Sequence, residues 1–310
     1  MRGERSISVP GSSVTPSEAQ KQFPNLVIIG VAKAGTTSLF RYLGQHPDVC
    51  LSDIKELRYF TALRYGEELG PLGDYFEHFA HCRDERYRME ATPGYYAGGR
   101  VVADAMNNLL SEPRVIVSFR DPVERCWSWF RFVRSTARIP KSMTFSEYLD
   151  SCESLHREGV DGMRVNQPFW GLGGGCYDTW FEAWLEAFGE RLRVEFFEKV
   201  TTNPAAVVED LCAWLGISTA ACADFRYDVQ NKTVQYKNGP LQKTALSFNR
   251  RSERFFTRHP DLKRVMRGAY YRLNGDGSES RLALPDRQRL TEFYAPHNER
   301  LAAMLAAAGH

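Results

Sequence analysis

The chain alternates between short apolar runs and longer stretches with apolar residues at helical spacing. Apolar runs over residues 26–29, 115–119 and 192–196 have the length and β-branched content of strands in a buried parallel sheet. Helical spacing predicts α-helices over 36–45, 123–134, 145–151, 177–188, 205–215 and 286–308. Strands separated by helices are typical of βαβ units. The pattern therefore predicts an α/β fold, a single domain whose central parallel sheet is flanked by helices.

The two ends of the chain and its cysteines suggest a compartment. Residues 1–22 are polar and lack the apolar centre of a signal peptide, so we interpret them as a disordered leader before a domain at 23–310. No apolar run has the length of a membrane span. Seven cysteines without a C-x-x-C pair fit a reducing cytosol better than a disulfide framework or a zinc site. We expect a cytoplasmic protein, and the preference for Arg over Lys indicates a bacterial genome.

The overall charge gives little information about partners. A net charge of +2 provides no general attraction to nucleic acid. Basic residues are concentrated in the segment 232–272. Such a segment is either a solvated face or the entry route of an acidic ligand.

Lys33 lies in the segment with the clearest chemistry. It follows the first predicted strand in a loop of small residues, which allow backbone N–H groups to approach a ligand. Three hydroxyl side chains then begin the next helix, where unpaired amides and the helix dipole attract anions. We predict a phosphate or sulfonate site formed by Lys33, Ala34, Gly35, Thr36, Thr37 and Ser38.

This segment is similar to a nucleotide P-loop but differs from it in register. The P-loop pattern G-x-x-x-x-G-K-[ST] places Lys directly after the second glycine. Here Lys33 precedes Gly35 by two residues, and Thr36 occupies the usual Lys position. The fold is therefore predicted to contain a P-loop-like strand, loop and helix.

A second anion site follows the strand at 115–119. Arg120 stands at the end of that strand, where ligands collect in open α/β sheets. Asp121, Pro122 and Glu124 then have the pattern of a helix N-cap, a first-turn proline and an acidic third position. Arg120 and Ser128, further along this helix, suit a terminal phosphate. No acidic cluster has metal-ligand spacing, so we expect no metal.

With both elements placed, the chain resembles the sulfotransferases that use 3′-phosphoadenosine 5′-phosphosulfate (PAPS). Residues 29–39 resemble their 5′-phosphosulfate loop, and residues 115–128 resemble their 3′-phosphate element. Other segments are closest to the heparan sulfate N- and 3-O-sulfotransferase branch and its bacterial relatives. These segments are His46-Pro-Asp-Val49, Lys55-Glu-Leu-Arg-Tyr-Phe60, Met89-Glu-Ala-Thr-Pro-Gly-Tyr-Tyr96, Gly175-Cys-Tyr177 and Asn231-Lys-Thr233.

The resemblance implies an activity and roles for individual residues. It implies transfer of the sulfuryl group of PAPS to a hydroxyl or amine of a small-molecule, carbohydrate or lipid acceptor, which releases adenosine 3′,5′-bisphosphate (PAP). Lys33 would stabilise the leaving phosphate, and Glu56 would be the general base. The remaining cofactor contacts would come from Arg120, Ser128, Tyr177, Tyr236 and Lys237.

Several points are left open by the sequence. Ala91 stands where the glycan enzymes tend to carry Lys, and the loop after Thr233 departs from the family pattern. We expect the pKa of Glu56 to be raised by apolar neighbours, while His78 and His81 are alternative bases. The aromatic residues either stack on an acceptor ring or fill the core: Trp127, Trp129, Phe130, Phe132, Phe169 and Trp170. Alternative functions are an ATP-dependent kinase, which would need Mg²⁺, and a nucleotide-binding module without turnover.

Overall fold

The strands form the predicted parallel sheet. The computed structural model describes residues 23–228 and 281–309, with isolated residues between 235 and 276. The five-stranded sheet has the order β2-β3-β1-β4-β5, and its neighbouring strands pair in parallel. Its strands are β1 (Leu26–Gly30), β2 (Val49–Leu51), β3 (Tyr87–Ala91), β4 (Arg114–Phe119) and β5 (Leu192–Phe196). The proposed leader at 1–22 lies outside the described residues.

The helices lie on both faces of the sheet. Their bounds are α1 Thr36–Leu43, α2 Thr61–Arg64, α3 Leu72–Glu77, α4 Gly99–Leu109, α5 Pro122–Ser135, α6 Phe145–Arg157, α7 Asp178–Phe188, α8 Phe197–Thr202, α9 Pro204–Leu215 and α10 Leu284–Ala307. Short 3₁₀ turns occur at Tyr96–Gly98, Arg164–Phe169, Gly173–Gly175, Gly189–Arg191 and Thr219–Asp224. Within the described residues, no helix combines the length and apolar character that a membrane crossing requires.

Alternate residues of each strand point to opposite faces and fill separate cores. Val27, Ile29 and Val117 pack with α4 and α7 on one face. Leu26 and Ile28 pack with α1 and α9 on the other. A third apolar cluster joins α5, α6 and α10 beside the sheet. These faces confirm the predicted α/β architecture, because each strand is covered on both sides.

Two strands were not predicted. β2 has only three residues, which is too short to produce a periodic pattern. β3 carries Arg88 and Glu90 among apolar residues, and Glu90 is fully buried in spite of its charge. A charged residue in a strand sequence normally indicates exposure, so the pattern of β3 was misleading.

Parallel pairing brings the functional loops to one edge of the sheet. β1 lies between β3 and β4, so the segments that follow all three strands meet at the carboxyl edge. The Val31 amide donates to the Ser118 carbonyl at 2.9 Å and fixes the loop after β1 to the end of β4. A ligand site at this edge is expected for an open α/β sheet.

A disulfide corrects the expectation for the cysteines. Cys50 on β2 is bonded to Cys82, beyond the end of α3, across a sequence separation of 32 residues. The other five cysteines are buried and unbonded. The pairing was missed because the two residues are distant in the sequence, and only the folded chain brings them together.

We expect loss of this disulfide to destabilise the protein. A cross-link that closes a loop of this size stabilises the folded state by about 3 to 4 kcal/mol, through restriction of the unfolded chain. The Cys50→Ala/Cys82→Ala variant should lose that much free energy of unfolding in urea titrations. Wild-type protein treated with a reductant should lose a similar amount, whereas the variant should not respond. An unchanged unfolding midpoint in reductant would contradict a stabilising role.

Candidate active site

A cavity of about 1220 Å³ opens at the carboxyl edge of the sheet. Its walls come from the loops after β1 and β2, from α2 and α5, and from residues 164–174. Glu56 is the only carboxylate among the described residues that line it. The lining bases are Lys33, Arg58, Arg64, Arg120, Arg125, Arg131, Arg138 and Arg164. This charge balance favours an anionic ligand.

The Lys33 loop is held by hydrogen bonds from β4 and its end. The Arg120 guanidinium donates to the Lys33 carbonyl at 3.0 Å, and the Ser118 hydroxyl donates to the Ala34 carbonyl at 2.7 Å. Lys33 itself has a φ of 75°, which is uncommon outside glycine. Its ammonium lies 4.8 Å from the centroid of the Phe132 ring. The side chain is therefore directed into the cavity by a constrained backbone.

Burial makes the Lys33 ammonium easier to deprotonate than an exposed lysine. Burial, with smaller contributions from the charges of Arg120 and Arg131, lowers the pKa of Lys33 to about 8, while Glu56 opposes them. An anion close to the ammonium favours its charged form. The loop is therefore best suited to bind a group with negative charge.

Gly35 permits the tight entry into α1. Its φ is +80°, and a Cβ there would lie 3.0 Å from a ring carbon of Phe197. A larger residue would meet both backbone strain and this contact. Thr36, Thr37 and Ser38 line the cavity at the start of α1, as predicted, whereas Ala34 is buried and is not among the lining residues.

Arg120 stands in the predicted position at the end of β4. Its guanidinium lies 4.3 Å from the Phe197 ring centroid, and no ion pair links it to a described carboxylate. The Glu124 amide donates to the Asp121 carboxylate at 2.9 Å, which confirms the N-cap of α5. The reciprocal bond of a capping box is replaced, because the Asp121 amide donates to Glu198. Ser128 faces the same cavity.

The other predicted cofactor contacts are placed differently. Tyr177 is buried, does not line the cavity, and donates from its hydroxyl to the Arg120 carbonyl at 2.9 Å. Tyr236 belongs to strand β6 (Gln235–Tyr236), which contacts α5 and pairs with β7 (Gly275–Asp276). Lys237 and the segment 229–234 lie outside the described residues. The roles of all three residues at the cofactor stay predictions.

Glu56 lies between two cations. Its carboxylate is 3.3 Å from the Lys55 ammonium and 2.8 Å from the Arg58 guanidinium. Glu56 and Arg58 both have positive φ, at 67° and 60°. Burial alone would raise the pKa of Glu56, but the two cations hold it below its ordinary value. The expectation of a raised pKa was wrong, because the apolar neighbours of Glu56 in sequence do not govern its charge.

The two histidines contact residues outside the cavity. His78 bonds to Asp53 through a 2.5 Å contact, and His81 lies 3.6 Å from the Cys50 sulfur. Neither residue lines the cavity. Cys50, His81 and Cys82 lie close together among the described residues, but the two cysteines form the disulfide described above.

The Glu90 carboxyl is buried, and the sequence analysis assigned it no role. Glu90 accepts hydrogen bonds from Tyr75 at 2.5 Å and from Thr92 at 3.1 Å. Burial raises the pKa of Glu90 to about 7, although the hydroxyl donors and nearby Lys55 lower it. Burial also lowers the pKa of Lys55. The E-x-T-P segment was the available signal, since it placed Glu90 and Thr92 together.

The aromatic residues divide between the core and the cavity. Trp127 and Phe130 are buried in the cluster of α5, α6 and α10. Trp129, Phe132 and Trp170 line the cavity. Phe169 packs against the same cluster as Trp127. Trp129 also belongs to this cluster and Phe132 packs against it, so both are part of the core as well as of the cavity wall, and stacking on an acceptor ring stays a prediction.

Comparison with known proteins identifies the family. Residues 23–263 match the sulfotransferase domain family. This match covers most of the chain, including all five strands of the sheet, so the chain belongs to the sulfotransferase family.

Individual relatives are distant and mostly larger. The bifunctional heparan sulfate N-deacetylase/N-sulfotransferase 1 of Xenopus tropicalis is 26% identical over 211 residues, which cover 64% of this chain and 23% of that protein. The membrane-associated sulfotransferase kil1 of Dictyostelium discoideum is 33% identical over 172 residues, which cover 56% of this chain and 33% of that protein. This chain thus spans about a quarter to a third of their lengths. A sulfotransferase structure from Alicyclobacillus acidocaldarius is 25% identical with a TM-score of 0.65, over 93% of this chain and 99% of that chain.

The lowered pKa of Lys33 predicts that an anionic ligand of the cavity, with PAP as the probe, binds more weakly in alkaline solution. Lys33 carries its charge below a pH of about 8 and loses it above, so the dissociation constant should rise roughly tenfold between about pH 7 and pH 9.5. Isothermal titration calorimetry across this range measures the effect. Lys33→Ala should bind weakly throughout with a flat profile that the wild type approaches at high pH. A wild-type affinity independent of pH would refute this assignment.

Proposed function

We propose that this chain transfers the sulfuryl group of PAPS to an acceptor hydroxyl or amine and releases PAP. The observation that carries the proposal is the placement of Lys33, Arg120 and Glu56 around one cavity in a chain of the sulfotransferase family. Two cationic side chains that follow two different strands suit a donor with two anionic groups. The acceptor is a small molecule, a carbohydrate or a lipid.

The donor is assigned to the two anion sites. Lys33, the first amides of α1 and the hydroxyls of Thr36, Thr37 and Ser38 would bind the 5′-phosphosulfate. Arg120 and Ser128 would bind the 3′-phosphate. Tyr177 would act through its hydrogen bond to the Arg120 carbonyl, so its role would be to position Arg120.

The chemistry follows from charge placement. As the sulfur forms a bond to the acceptor and loses its bond to the bridging oxygen, negative charge develops on the leaving phosphate. Lys33 would stabilise that charge in a site shielded from water. Glu56 would accept the proton of the acceptor, and Lys55 and Arg58 would keep its carboxylate ionised beforehand.

The competing interpretations differ in their support. The family match favours sulfuryl transfer over an ATP-dependent kinase. A nucleotide-binding module without turnover stays an outcome of the experiment below. A cytoplasmic location and a bacterial source stay predictions, and the Cys50–Cys82 disulfide weighs against a reducing compartment.

We expect PAP to raise the midpoint of thermal unfolding, because a ligand that binds only the folded state stabilises it. AMP and Mg²⁺·ATP should give much smaller shifts. Lys33→Ala and Arg120→Ala should abolish the PAP shift while the unliganded proteins stay folded. A shift with Mg²⁺·ATP alone would instead support a kinase. Binding of PAP without any turnover of PAPS would support the module.

We expect Glu56→Gln to lower kcat roughly a hundred- to ten-thousandfold, the contribution of a general base. The substitution preserves the size of the side chain. PAP affinity should stay within about threefold of wild type because Glu56 is not assigned to the cofactor. PAP release from PAPS in the presence of acceptor measures turnover. The matched control is Glu77→Gln, an exposed carboxylate on α3 that does not line the cavity. Near-normal turnover by Glu56→Gln would remove this residue as the base.

A further inference from the structure

Glu90 on β3 is a fully buried carboxylate to which the proposed chemistry gives no part. Three hydroxyl groups donate hydrogen bonds to it, from Tyr75 at 2.5 Å, Thr92 at 3.1 Å and Tyr95 at 3.4 Å. Thr92 also lines the cavity, so the carboxylate lies directly behind the cavity wall. Burial of a charged group is costly, and a buried carboxylate beside a site is therefore a candidate for a role in that site.

Two of these hydroxyls also hold the main chain that follows the candidate base. The Arg58 amide donates to the Thr92 hydroxyl at 3.2 Å, and the Phe60 amide donates to the Tyr95 hydroxyl at 3.4 Å. A hydroxyl group has one hydrogen to donate and two lone pairs that accept. Because each hydrogen is directed at Glu90, a lone pair of each oxygen is left to face the main-chain amide.

The main chain at the candidate base has a conformation that needs such support. Glu56 and Arg58 have φ values of 67° and 60°, in a region that residues with a side chain seldom occupy. Such conformations persist only where the surrounding structure holds them. The Arg58 amide lies within this strained turn, and the Phe60 amide lies two residues further along. The bonds through Thr92 and Tyr95 therefore hold the turn that presents the carboxylate of the base to the cavity.

Lys55 connects the same two carboxylates through its charge. Its ammonium lies 3.3 Å from the Glu56 carboxylate. Burial lowers the pKa of Lys55, and the charges of Glu56 and Glu90 oppose that effect. An ionised Glu90 therefore helps to keep Lys55 charged, and the charged ammonium contacts the base directly.

We propose that Glu90 is a positioning residue, which holds the Glu56 carboxylate in the orientation for proton transfer through two intervening hydroxyl groups. The proposal rests on the proposed function, because it takes Glu56 as the base. Glu90 does not touch the substrate, and it acts while its carboxylate is ionised and accepts all three hydroxyl hydrogens. A protonated carboxyl has a hydrogen of its own to donate, so one of the three hydroxyls would have to turn away.

The ionisation of Glu90 gives this positioning a pH dependence. Burial raises the pKa of Glu90 to about 7. The neighbouring groups that act against burial are the hydroxyls of Tyr75, Tyr95 and Thr92 and the charge of Lys55. Despite burial, two cations hold the pKa of Glu56 below its ordinary value, so the base stays ionised while Glu90 takes up a proton. Activity is therefore lost as the pH falls through about 7. At saturating PAPS, kcat should fall more than about tenfold between about pH 7.5 and about pH 5.5, whereas Glu90→Gln should have a low kcat without this acid limb.

Removal of single hydroxyl groups separates positioning from general stability. Thr92→Val and Tyr95→Phe keep the approximate shape of each side chain and remove the bond to one main-chain amide. PAP release from PAPS is measured with phenol, benzylamine and water as acceptor probes. Each variant should lower kcat roughly ten- to hundredfold, the effect of a misplaced catalytic group, while the PAP dissociation constant stays within about twofold. The control is Tyr87→Phe, because Tyr87 is buried on the same strand and its hydroxyl donates to the Leu215 carbonyl at 2.7 Å. It should lose a similar amount of thermal stability and keep its kcat.

Amide hydrogen exchange measured by NMR tests the same hydrogen bonds without turnover. The Arg58 amide should exchange faster in Thr92→Val than in wild type. The Phe60 amide should exchange faster in Tyr95→Phe, and the control variant should change neither amide. The proposal is overturned if the hydroxyl variants keep the wild-type kcat, if the control loses as much, or if Glu90→Gln retains the acid limb. Failure of the proposed function would appear separately, as the absence of PAP binding or of PAP release by the wild-type protein.

Discussion

The attachment of the β1 loop to the end of β4 is the constraint on which the site depends. Three hydrogen bonds form it: the Val31 amide to Ser118, the Ser118 hydroxyl to Ala34, and the Arg120 guanidinium to Lys33. These bonds to β4 and to its end hold the loop in place while Lys33 adopts a positive φ. Since the same attachment uses Arg120, the two anion sites are fixed relative to each other by the sheet.

The two strands joined by this attachment, β1 and β4, could be predicted because the pattern that identifies each strand lies within a few adjacent residues. β1 is apolar throughout, and β4 is apolar apart from Arg114 at its start and Ser118. Each strand is followed by residues of a type that binds anions. α10 was also predicted despite Pro296, and the helix continues through that residue. Packing on α5 and α7 outweighs the local cost of a proline inside this helix.

The surroundings of Glu56 could not be predicted in the same way. Its charge is set by Lys55 and Arg58, whose side-chain positions depend on positive φ at both Glu56 and Arg58. Buried Glu90 depends on Tyr75, fifteen residues earlier in the chain and on a different element. A sequence shows which ionisable residues exist, but long-range packing decides which of them are buried together and therefore how they titrate.

The position of Phe197 has a consequence for how this family can vary. Its ring lies against the space that a side chain at Gly35 would occupy and under the Arg120 guanidinium. A change at any of these three positions alters the room available to the other two, so the effects of double substitutions should not add. Homologues would then be expected to replace them as a set. Through the Phe197 ring, substitutions at one anion site therefore depend on the residues present at the other.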